Sequence, residues 1–396
     1  MRILLHDYSG HPFQVELSRW FASQGHQTLH LYSASFQTPK GRLERAHDDS
    51  SFFEIEGLRL KKPFEKYSYL KRRFQEQEYG HLLCKRVKEF SPDIIISSNS
   101  PLDAQDLLWK FGKTKKTPCV FWLQDIYSMA ITSIMKEKLG FLGGLIGNHY
   151  AKLEKSLLKS SKAIVSISPD FSPLLEHWQI SADKIHVIPN WAPLAELPVY
   201  PKHNDWSIKH GLQDKFVFLY SGTLGLKHNP DLLLRLAQSF QSRPEVVLVV
   251  VSEGIGAAWL QSKKQELRIS NLLILDYQDF SMMPLVLASA DVLLAILEVS
   301  AGVYSVPSKV LTYLCAGKPI LLSVPQSNLA ARTVTESGAG LLAASPEEFL
   351  QMAEKILNSA TERELMGKNA LSYAQSAFDI QRIGHRFSVI LRECLQ

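Results

Sequence analysis

Short apolar runs alternate with stretches of helical periodicity along the chain. In the first half, DIIISS (93–98), CVFWL (119–123) and AIVSI (163–167) are continuous apolar runs of the kind that covered parallel strands show. Strands separated by helices predict a parallel sheet, because a parallel connection requires a crossover. The strands predicted in this half are 2–5, 26–33, 51–60, 93–98, 119–123 and 163–167.

A second alternating series begins after the Pro-rich stretch 191–206, which has no periodicity. Its predicted strands are 216–220, 246–251, 272–275, 291–297, 320–324 and 340–343. The chain is therefore predicted to be an α/β protein with two Rossmann-like, doubly wound domains, 1–190 and 207–378, joined by the linker 191–206. Ligands of such sheets lie at the carboxyl ends of the strands, so both domains are expected to face a central cleft.

Length and composition agree with this organisation. A chain of 396 residues, 45% of them hydrophobic, is long enough for two domains that each bury a core. No uncharged apolar run is long enough to cross a bilayer, and the N-terminus lacks a signal-peptide core, so we expect a cytoplasmic protein. The four cysteines stand far apart, without the spacing of zinc ligands, and are expected to be buried thiols.

The excess of positive charge is confined to the first half of the chain. Residues 1–200 hold 26 Lys and Arg against 21 Asp and Glu, whereas residues 201–396 hold 18 of each. The stretch 61–88 alone has nine basic residues, three glutamates and several aromatic residues. This pattern is typical either of a surface that contacts anionic lipid headgroups or a phosphorylated acceptor, or of a solvated helix face. A pI near 8.8 without a recognition motif argues against nucleic acid as a partner.

The stretch 129–161 mixes Leu, Ile and Phe with lysines around Gly140, Gly143 and Gly144. Two interpretations remain open: an amphipathic element on a membrane surface, or two packed helices joined by a Gly turn. Together with the basic stretch it favours peripheral attachment to the inner face of the cytoplasmic membrane. Such attachment would place the first domain against a lipid-linked acceptor.

The stretch 305–322, SVPSKVLTYLCAGKPILL, predicts a short helix that begins at Pro307, Ser308 and Lys309 and ends at Gly317. A hydroxyl, an ammonium and free backbone N–H groups at one helix start favour an anion site. The alternative is an ordinary helix start with a solvated lysine.

Three more loops follow strands of the second domain. They are SGTLGLKH at 221–228, SEGIG at 252–256 and DYQD at 276–279. Glycines permit close approach of a ligand to the backbone, Lys227 is able to neutralise phosphate, and an aromatic residue beside an amide suits a base. Four such loops in one domain predict a nucleotide diphosphate as the ligand.

These residues carry a family resemblance. YSGTLGLKH, VVVSEGIG, ASADVLLAILE and SVPSKVLTYLCAGKPIL resemble the donor half of retaining family 4 glycosyltransferases with the GT-B fold. The likeness is to bacterial enzymes of capsule, O-antigen and exopolysaccharide assembly, of the colanic-acid and fucosamine transferase type. It implies that the last helix, within 379–396, crosses back onto the first domain.

The resemblance also implies a donor site for a nucleotide-diphosphate sugar, with UDP as the favoured nucleotide. The donor-binding residues that it implies are Gly222, Thr223, Lys227, Glu253, Gly254, Tyr277, Gln278, Ser308, Lys309 and Thr312. Many members carry two glutamates eight positions apart, at the places of Tyr304 and Thr312, and Glu298 would replace one only with an inserted loop residue. Many also carry Arg at the place of Thr223.

For catalysis, we expect Lys227 and Lys309 to stabilise the departing diphosphate, whose charge grows in the transition state. The sequence has no Asp-x-Asp, so neither a metal nor another cofactor is expected. Asp125, which follows the strand CVFWL, is the first candidate to orient the acceptor hydroxyl, unless it merely caps the next helix. His11 and Gln14 are further acceptor-binding candidates.

Three other functions would use part of this pattern. A sugar-nucleotide epimerase of the same fold would use the same donor loops without an acceptor, and a non-catalytic homologue would bind the donor and leave it intact. A dinucleotide oxidoreductase is disfavoured, because the first loop, HDYSGHPFQ, lacks the Gly-x-Gly-x-x-Gly pattern. The acceptor is expected to be lipid-linked or an oligosaccharide.

Overall fold

The computed structural model describes residues 1–35, 42–65, 68–225, 228–298 and 308–396. They form two compact units, one of Met1–Asn190 with Ile380–Gln396 and the other of Trp191–Asp379. Each unit is built on one parallel sheet flanked by helices, which confirms the predicted α/β class with two doubly wound, Rossmann-like domains. Residues 191–206, which we expected to be a linker, belong to the second unit.

The elements alternate along the chain as the apolar pattern predicts. The strands are β1 Arg2–Asp7, β2 Gln27–Ser33, β3 Phe53–Leu58, β4 Ile94–Ser98, β5 Cys119–Leu123, β6 Ala163–Ser166, β7 Ile185–Val187, β8 Phe216–Ser221, β9 Val246–Val251, β10 Leu272–Leu275, β11 Val292–Ile296, β12 Ile320–Ser323 and β13 Gly340–Leu342. The helices are α1 Pro12–Ser23, α2 Tyr69–Phe90, α3 Leu102–Lys115, α4 Tyr127–Ser160, α5 Ser172–His177, α6 Asp205–Lys209, α7 Pro230–Ser239, α8 Ile255–Glu266, α9 Met283–Ala288, α10 Lys309–Cys315, α11 Leu329–Glu336, α12 Pro346–Asn358, α13 Ala360–Ala377 and α14 Ile380–Leu395. The edge strand β7 is not among the strands that the apolar pattern predicts.

In the first unit, the strand order is β3-β2-β1-β4-β5-β6-β7, and every neighbouring pair is parallel. The strands β4, β5 and β6 are buried along their whole length, because helices cover both faces of the sheet. The order reverses direction at β1, which has β2 on one side and β4 on the other. The carboxyl ends of β1 and β4 therefore mark the switch point of this sheet, where ligands of such folds bind.

In the second unit, the order is β10-β9-β8-β11-β12-β13, again all parallel. The core on one side of the sheet joins aromatic residues such as Phe218 and Phe240 to Leu and Val side chains of β9, α7 and α12. Here the order reverses at β8, between β9 and β11. The ends of β8 and β11 are the corresponding switch point.

The C-terminal helix α14 returns to the first unit, as expected. Trp20 of α1 donates from Nε1 to Gln381 Oε1 over 2.8 Å, and Phe387 packs on Trp122 with ring centroids 4.8 Å apart. Gly384 lies directly beneath the Trp20 indole, where a Cβ atom would approach the ring to 2.3 Å. The missing side chain therefore lets α14 lie flat against α1.

Helix α4 is a hairpin of two helical segments. Gly140, with φ 53° and ψ −122°, breaks the helix. A Cβ atom on Gly143 would lie 1.9 Å from the Met135 carbonyl oxygen, and one on Gly147 would lie 2.4 Å from the Thr132 hydroxyl. The two segments thus run back along each other in backbone contact, which confirms the interpretation as two packed helices joined by a Gly turn. Within the described ranges, no helix combines the length and apolar character needed to span a bilayer.

Candidate functional site

At the switch point of the second unit, a tyrosine side chain takes the place of a strand neighbour. Strand β8 pairs with β11 at Phe218 and Leu219, two residues before β8 ends. At the end of β8, Ser221 donates its N–H to the Tyr313 hydroxyl over 2.9 Å, and that hydroxyl donates to the Ser221 carbonyl over 3.0 Å. Helix α10 is therefore fixed to the residue that precedes the loop at Gly222.

Lys309, one turn before Tyr313 on α10, directs its ammonium toward the loop at Gly222. Its Nζ lies 3.5 Å from the centre of the Tyr220 ring, and a Cβ atom added to Gly222 would come within 3.2 Å of it. Burial of this nitrogen lowers the pKa of Lys309 well below its usual value. Among the described residues, the ammonium has no hydrogen-bond partner.

Such an arrangement is costly for a protein without a ligand. A buried ammonium that lacks an acceptor has lost its hydration, and the face of Tyr220 replaces only part of it. An anion or another acceptor that enters beside Gly222 would satisfy the donors left without a partner among the described residues. The arrangement is therefore suited to binding an anionic group at the carboxyl ends of the strands.

The loop after β8 is held by backbone hydrogen bonds to the loop after β9. Gly222 donates to the Val251 carbonyl over 3.0 Å, Leu224 donates to that of Glu253 over 3.2 Å, and Gly256 donates back to Leu224 over 2.9 Å. Gly254, with φ 112°, has a conformation that residues with a side chain rarely adopt, and it precedes α8. Glu253 is exposed beside it.

Thr223 and Tyr277 meet at the rim of this loop, where their hydroxyl groups share a hydrogen bond. Burial raises the pKa of Tyr277, although the Thr223 hydroxyl partly opposes this effect. The Gln278 amide has partners inside the unit: its Oε1 accepts from Trp206 Nε1 over 3.3 Å, and its Nε2 donates to the Asp276 carbonyl over 2.9 Å. Of the two residues expected near a base, only Tyr277 lies against the Gly222 loop.

Two further expected donor residues lie on α10. The helix begins at Lys309. Its N-cap residue, Ser308, is exposed and makes no side-chain capping bond. Thr312 donates its hydroxyl to the Lys309 carbonyl over 2.8 Å, within its own helix. Lys227, Pro307 and Tyr304 lie outside the described residues, and Glu298 directly precedes the gap at 299–307.

In the first unit, the switch point carries a buried carboxylate, Asp7, at the end of β1. His11 and Asn99 both contact this carboxylate. His11 Nδ1 lies 3.5 Å from Asp7 Oδ1, and Asn99 Nδ2 donates to the same oxygen over 3.2 Å. With its amide oriented so that both ends have partners, Gln14 donates to both Asp7 oxygens, over 2.9 and 2.7 Å, and accepts from Ser98. Gln14 is itself buried, so its amide positions the Asp7 carboxylate.

Asp7 and His11 shift each other's pKa. Burial alone would raise the pKa of Asp7, but the charge and hydrogen bonds of His11 bring it below the usual value. Burial alone would lower the pKa of His11, but Asp7, with a smaller contribution from Asp125, raises it. The pair thus favours a protonated, partly exposed imidazole beside a buried carboxylate.

Asp125 is exposed between β5 and α4, and it does not occupy the N-cap of α4, which is Ile126. The carboxylate that binds this helix start is Glu154, from the second segment of the hairpin. It accepts the N–H groups of Tyr127 and Ser128, each over 3.0 Å. Burial raises the pKa of Glu154 to about 7, and Asp125 contributes to the shift.

Sequence reasoning missed four residues of these sites. Tyr313 stands four positions after Lys309, and this spacing on one helix face was the available signal. Asn99 follows a buried strand, in the left-handed conformation with φ 52°, as strand-end polar residues often do. Tyr220 and Glu154 had no local signal. No cluster of three or more potential metal ligands occurs in the part of the chain that the structure describes.

Comparison with known families identifies the chain. The family described as Glycosyltransferase Family 4 matches residues 13–196, and that described as Glycosyl transferases group 1 matches residues 203–373. This chain belongs to the family 4 glycosyltransferases. The recognition made from the donor loops is thereby confirmed.

Similar proteins agree with this membership. The glycosyltransferase is 22% identical over 340 residues to WcaI of Escherichia coli (strain K12), a protein named provisionally as a colanic acid biosynthesis glycosyl transferase, with 80% of this chain and 82% of WcaI covered. The structure of Anabaena HepE with UDP and glucose matches with a TM-score of 0.71 at 16% identity, over 99% of both chains. That of WaaG, a glycosyltransferase involved in lipopolysaccharide biosynthesis, matches with 0.67 at 19% identity, over 98% of this chain and 99% of WaaG. These likenesses show the GT-B fold.

Proposed function

We propose that this glycosyltransferase moves a sugar, with retention of anomeric configuration, from a UDP-sugar to a growing lipid-linked bacterial surface polysaccharide or oligosaccharide. The observation that carries the donor assignment is the buried ammonium of Lys309 beside Gly222. A diphosphate oxygen placed there would accept from Lys309 and supply the charge that the site lacks among its described residues.

The surrounding loops support a nucleoside diphosphate. Gly222 and Gly254 present backbone without side chains at the carboxyl ends of β8 and β9, so phosphate and ribose have room to approach. Tyr277, bonded to Thr223, offers an aromatic face at the rim for the base. UDP is favoured because HepE, with the same fold, was solved with UDP and glucose.

The chemistry assigned to Lys309 is stabilisation of the leaving group. The bond from the anomeric carbon to the diphosphate oxygen breaks, the bond to the acceptor oxygen forms on the same face, and the acceptor proton passes to the departing phosphate. Negative charge grows on that phosphate, so an ammonium fixed beside it binds the transition state more tightly than the ground state. Lys309, with Lys227 as a second cation, would supply this charge without a metal ion or another cofactor.

For the acceptor, the first unit offers His11, which directly precedes α1 and contacts Asp7, with Asp125 close enough to influence its pKa. A protonated imidazole and a carboxylate together suit an acceptor that carries hydroxyl and phosphate groups. Membership beside WcaI and WaaG favours an acceptor of surface polysaccharide assembly. We therefore place the enzyme at the inner face of the cytoplasmic membrane, as a peripheral protein.

The donor assignment is tested by calorimetric titration of UDP, GDP, ADP and dTDP in excess EDTA. The variants are Lys309→Met and, as a matched control, Lys318→Met, whose lysine is partly buried and also has a lowered pKa but stands just before the start of β12. We expect one diphosphate, UDP, to bind wild type and the control, and Lys309→Met to bind it roughly tenfold to a thousandfold more weakly. Equal binding by Lys309→Met, or binding only with added metal, would refute the assignment.

The transfer itself is tested with the matching radiolabelled UDP-sugar. Incorporation into membrane lipid extract, with an α-linked donor giving an α-linked product, supports retaining transfer. Conversion of the donor sugar without an acceptor indicates the epimerase alternative, and an intact donor under all conditions indicates a non-catalytic homologue. Either of these two results would refute the proposed reaction.

A further inference from the structure

Exposed apolar side chains concentrate at the turn of the α4 hairpin. Phe141 is 82% exposed, Leu142 63%, Leu145 52%, Leu139 50% and Ile134 48%. Elsewhere in the described residues, large exposed apolar side chains are scattered singly or in pairs, which is ordinary for a protein surface. Five within 12 residues form a patch that water does not favour. We call residues 134–145 the hairpin tip.

The construction of the hairpin keeps these side chains outside. Because Gly143 and Gly147 bring the two segments into backbone contact at Met135 and Thr132, no layer between the segments is available to bury them. Glu154 binds the start of the first segment and so ties the open end of the hairpin together. The tip is therefore a fixed apolar end and not a loop able to fold its side chains inward.

Charge at the tip indicates what covers it. Lys136 and Lys138 are exposed on the first segment, with a single glutamate, Glu137, between them. Lys136 also borders a groove lined by Phe141, Leu145 and Asn148. Leu and Phe side chains with ammonium groups on their flanks match the boundary of an anionic bilayer, where acyl chains lie beneath phosphate headgroups.

The basic stretch of α2 is linked to the hairpin through α3, which contacts both helices. Asp103 of α3 lies 3.5 Å from Arg73 of α2, and it accepts from the Tyr150 hydroxyl of α4 over 2.5 Å. Tyr150 lies ten residues after Gly140, about 15 Å along a helix. Arg73 is thus joined, through Asp103, to the second segment of the hairpin.

We propose that the hairpin tip inserts its apolar side chains into an anionic lipid surface, and that Lys136 and Lys138 bind the phosphate headgroups. The inference rests on the proposed function for its setting, a lipid-linked acceptor in the membrane. The tip would hold the first unit at the surface on which that acceptor is confined, and so raise the local concentration of enzyme and acceptor together.

The test is flotation of the full chain with vesicles of phosphatidylcholine alone or mixed with phosphatidylglycerol. The variant F141E/L142E is compared with Leu365→Glu, a control that adds one glutamate at an exposed leucine of α13. We expect wild type and the control to float with the anionic vesicles. F141E/L142E should bind at least tenfold more weakly, and Lys136→Gln with Lys138→Gln should weaken binding and its salt dependence.

Flotation of F141E/L142E equal to wild type would overturn the inference, as would absence of wild type from the anionic vesicles. Light scattering without vesicles tests the alternative that a second copy of the chain covers the tip. A wild-type dimer that F141E/L142E abolishes would show that it does. UDP binding in solution should be the same in all variants. Vesicle binding without UDP binding would refute the donor assignment alone, so the two failures are distinguishable.

Discussion

The Tyr313 hydroxyl bonds both backbone groups of Ser221, accepting from its N–H over 2.9 Å and donating to its carbonyl over 3.0 Å. The phenol is buried, and burial raises its pKa, so it remains protonated and able to donate. Because Lys309 stands one turn earlier on the same helix, this pair of bonds sets the distance between the Lys309 ammonium and the Gly222 loop.

Tyr313→Phe tests this coupling. The change removes only the hydroxyl and leaves two buried backbone groups of Ser221 unpaired, which costs about 1–3 kcal/mol. We expect UDP affinity to fall roughly tenfold while uridine affinity stays unchanged, because the bonds position the lysine and not the base pocket. Calorimetric titration of both ligands provides the measurement.

A double-mutant cycle supplies the control for that prediction. If Tyr313 acts through Lys309, Tyr313→Phe should have little further effect on UDP binding in the Lys309→Met background. Fully additive losses would show that the phenol affects UDP binding independently of Lys309.

Lys309 should also make donor binding depend on pH. Burial lowers the pKa of the free ammonium, and a diphosphate beside it would raise that pKa, so binding takes up a proton wherever the free lysine is deprotonated. UDP affinity should therefore fall as pH rises above the pKa of the free lysine, by up to about tenfold per unit.

Calorimetry in two buffers of different ionisation enthalpy measures this proton uptake directly. The observed binding enthalpy should differ between the buffers for wild type and for Lys318→Met, and it should be the same in both for Lys309→Met. An identical enthalpy for wild type in the two buffers would contradict the assignment of the proton to Lys309.

Two adjacent glycines of the hairpin should respond oppositely to a methyl group. A Cβ atom on Gly143 would lie 1.9 Å from the Met135 carbonyl oxygen, whereas the closest atom to one on Gly144 is the Lys136 side-chain carbon at 3.7 Å. Gly143→Ala must push the segments apart and should cost about 1–3 kcal/mol. Gly144→Ala should gain about 0.5–1 kcal/mol from helix propensity.

Urea unfolding of the two variants, followed by tryptophan fluorescence, measures the difference. Since both changes add the same methyl group to neighbouring positions, equal effects on the unfolding midpoint would show that the segments are not in backbone contact at Gly143.

Glu154 should make the stability of the first unit depend on pH. Its pKa is raised to about 7 by burial, above the value of an unfolded chain, so its contribution is fully present in acid and is lost as pH rises through about 7. A shift of this size corresponds to about 3 kcal/mol. Glu154→Gln does not titrate, so its stability relative to wild type should increase as pH rises.

Thermal melts of both proteins at about pH 5 and pH 8.5 check this expectation. The melting temperature of wild type should fall by several degrees more than that of Glu154→Gln between these values. A constant difference between the two proteins would show that Glu154 is ionised throughout this range.

Local pattern was sufficient for most of the fold. Runs such as IIISS at Ile94–Ser98 and CVFWL at Cys119–Leu123 are apolar throughout because both faces of a parallel strand are covered, and they were predicted to within a residue. The edge strand β7, Ile185–Val187, was missed because it has three half-buried residues and no such run. The Pro-rich residues after Trp191 gave the boundary but not their membership of the second unit.

The candidate site residues also differ in how far the sequence predicted them. Gly222 and Lys309 were predicted from a Gly-rich loop after a strand and from a lysine at a helix start, and the structure brings the two together. His11 was predicted from its place in the first loop. Gln14 was identified by type, but its amide belongs to Asp7, since the helix turns it into the interior. The Lys227, Tyr304 and Pro307 assignments stay predictions, because they lie outside the described residues.

By itself, the sequence determined the α/β class and the two parallel sheets, because these depend on periodicity, and the family, because its motifs are short runs of residues. The return of the last helix was implied by the resemblance to that family. Only the tertiary structure decided which distant groups meet. Ser221 and Tyr313 are 92 positions apart, and Glu154 lies 26 positions from Ser128. Their contacts depend on how β8, α10 and the α4 hairpin pack, and packing is a property of the whole fold that no local pattern records.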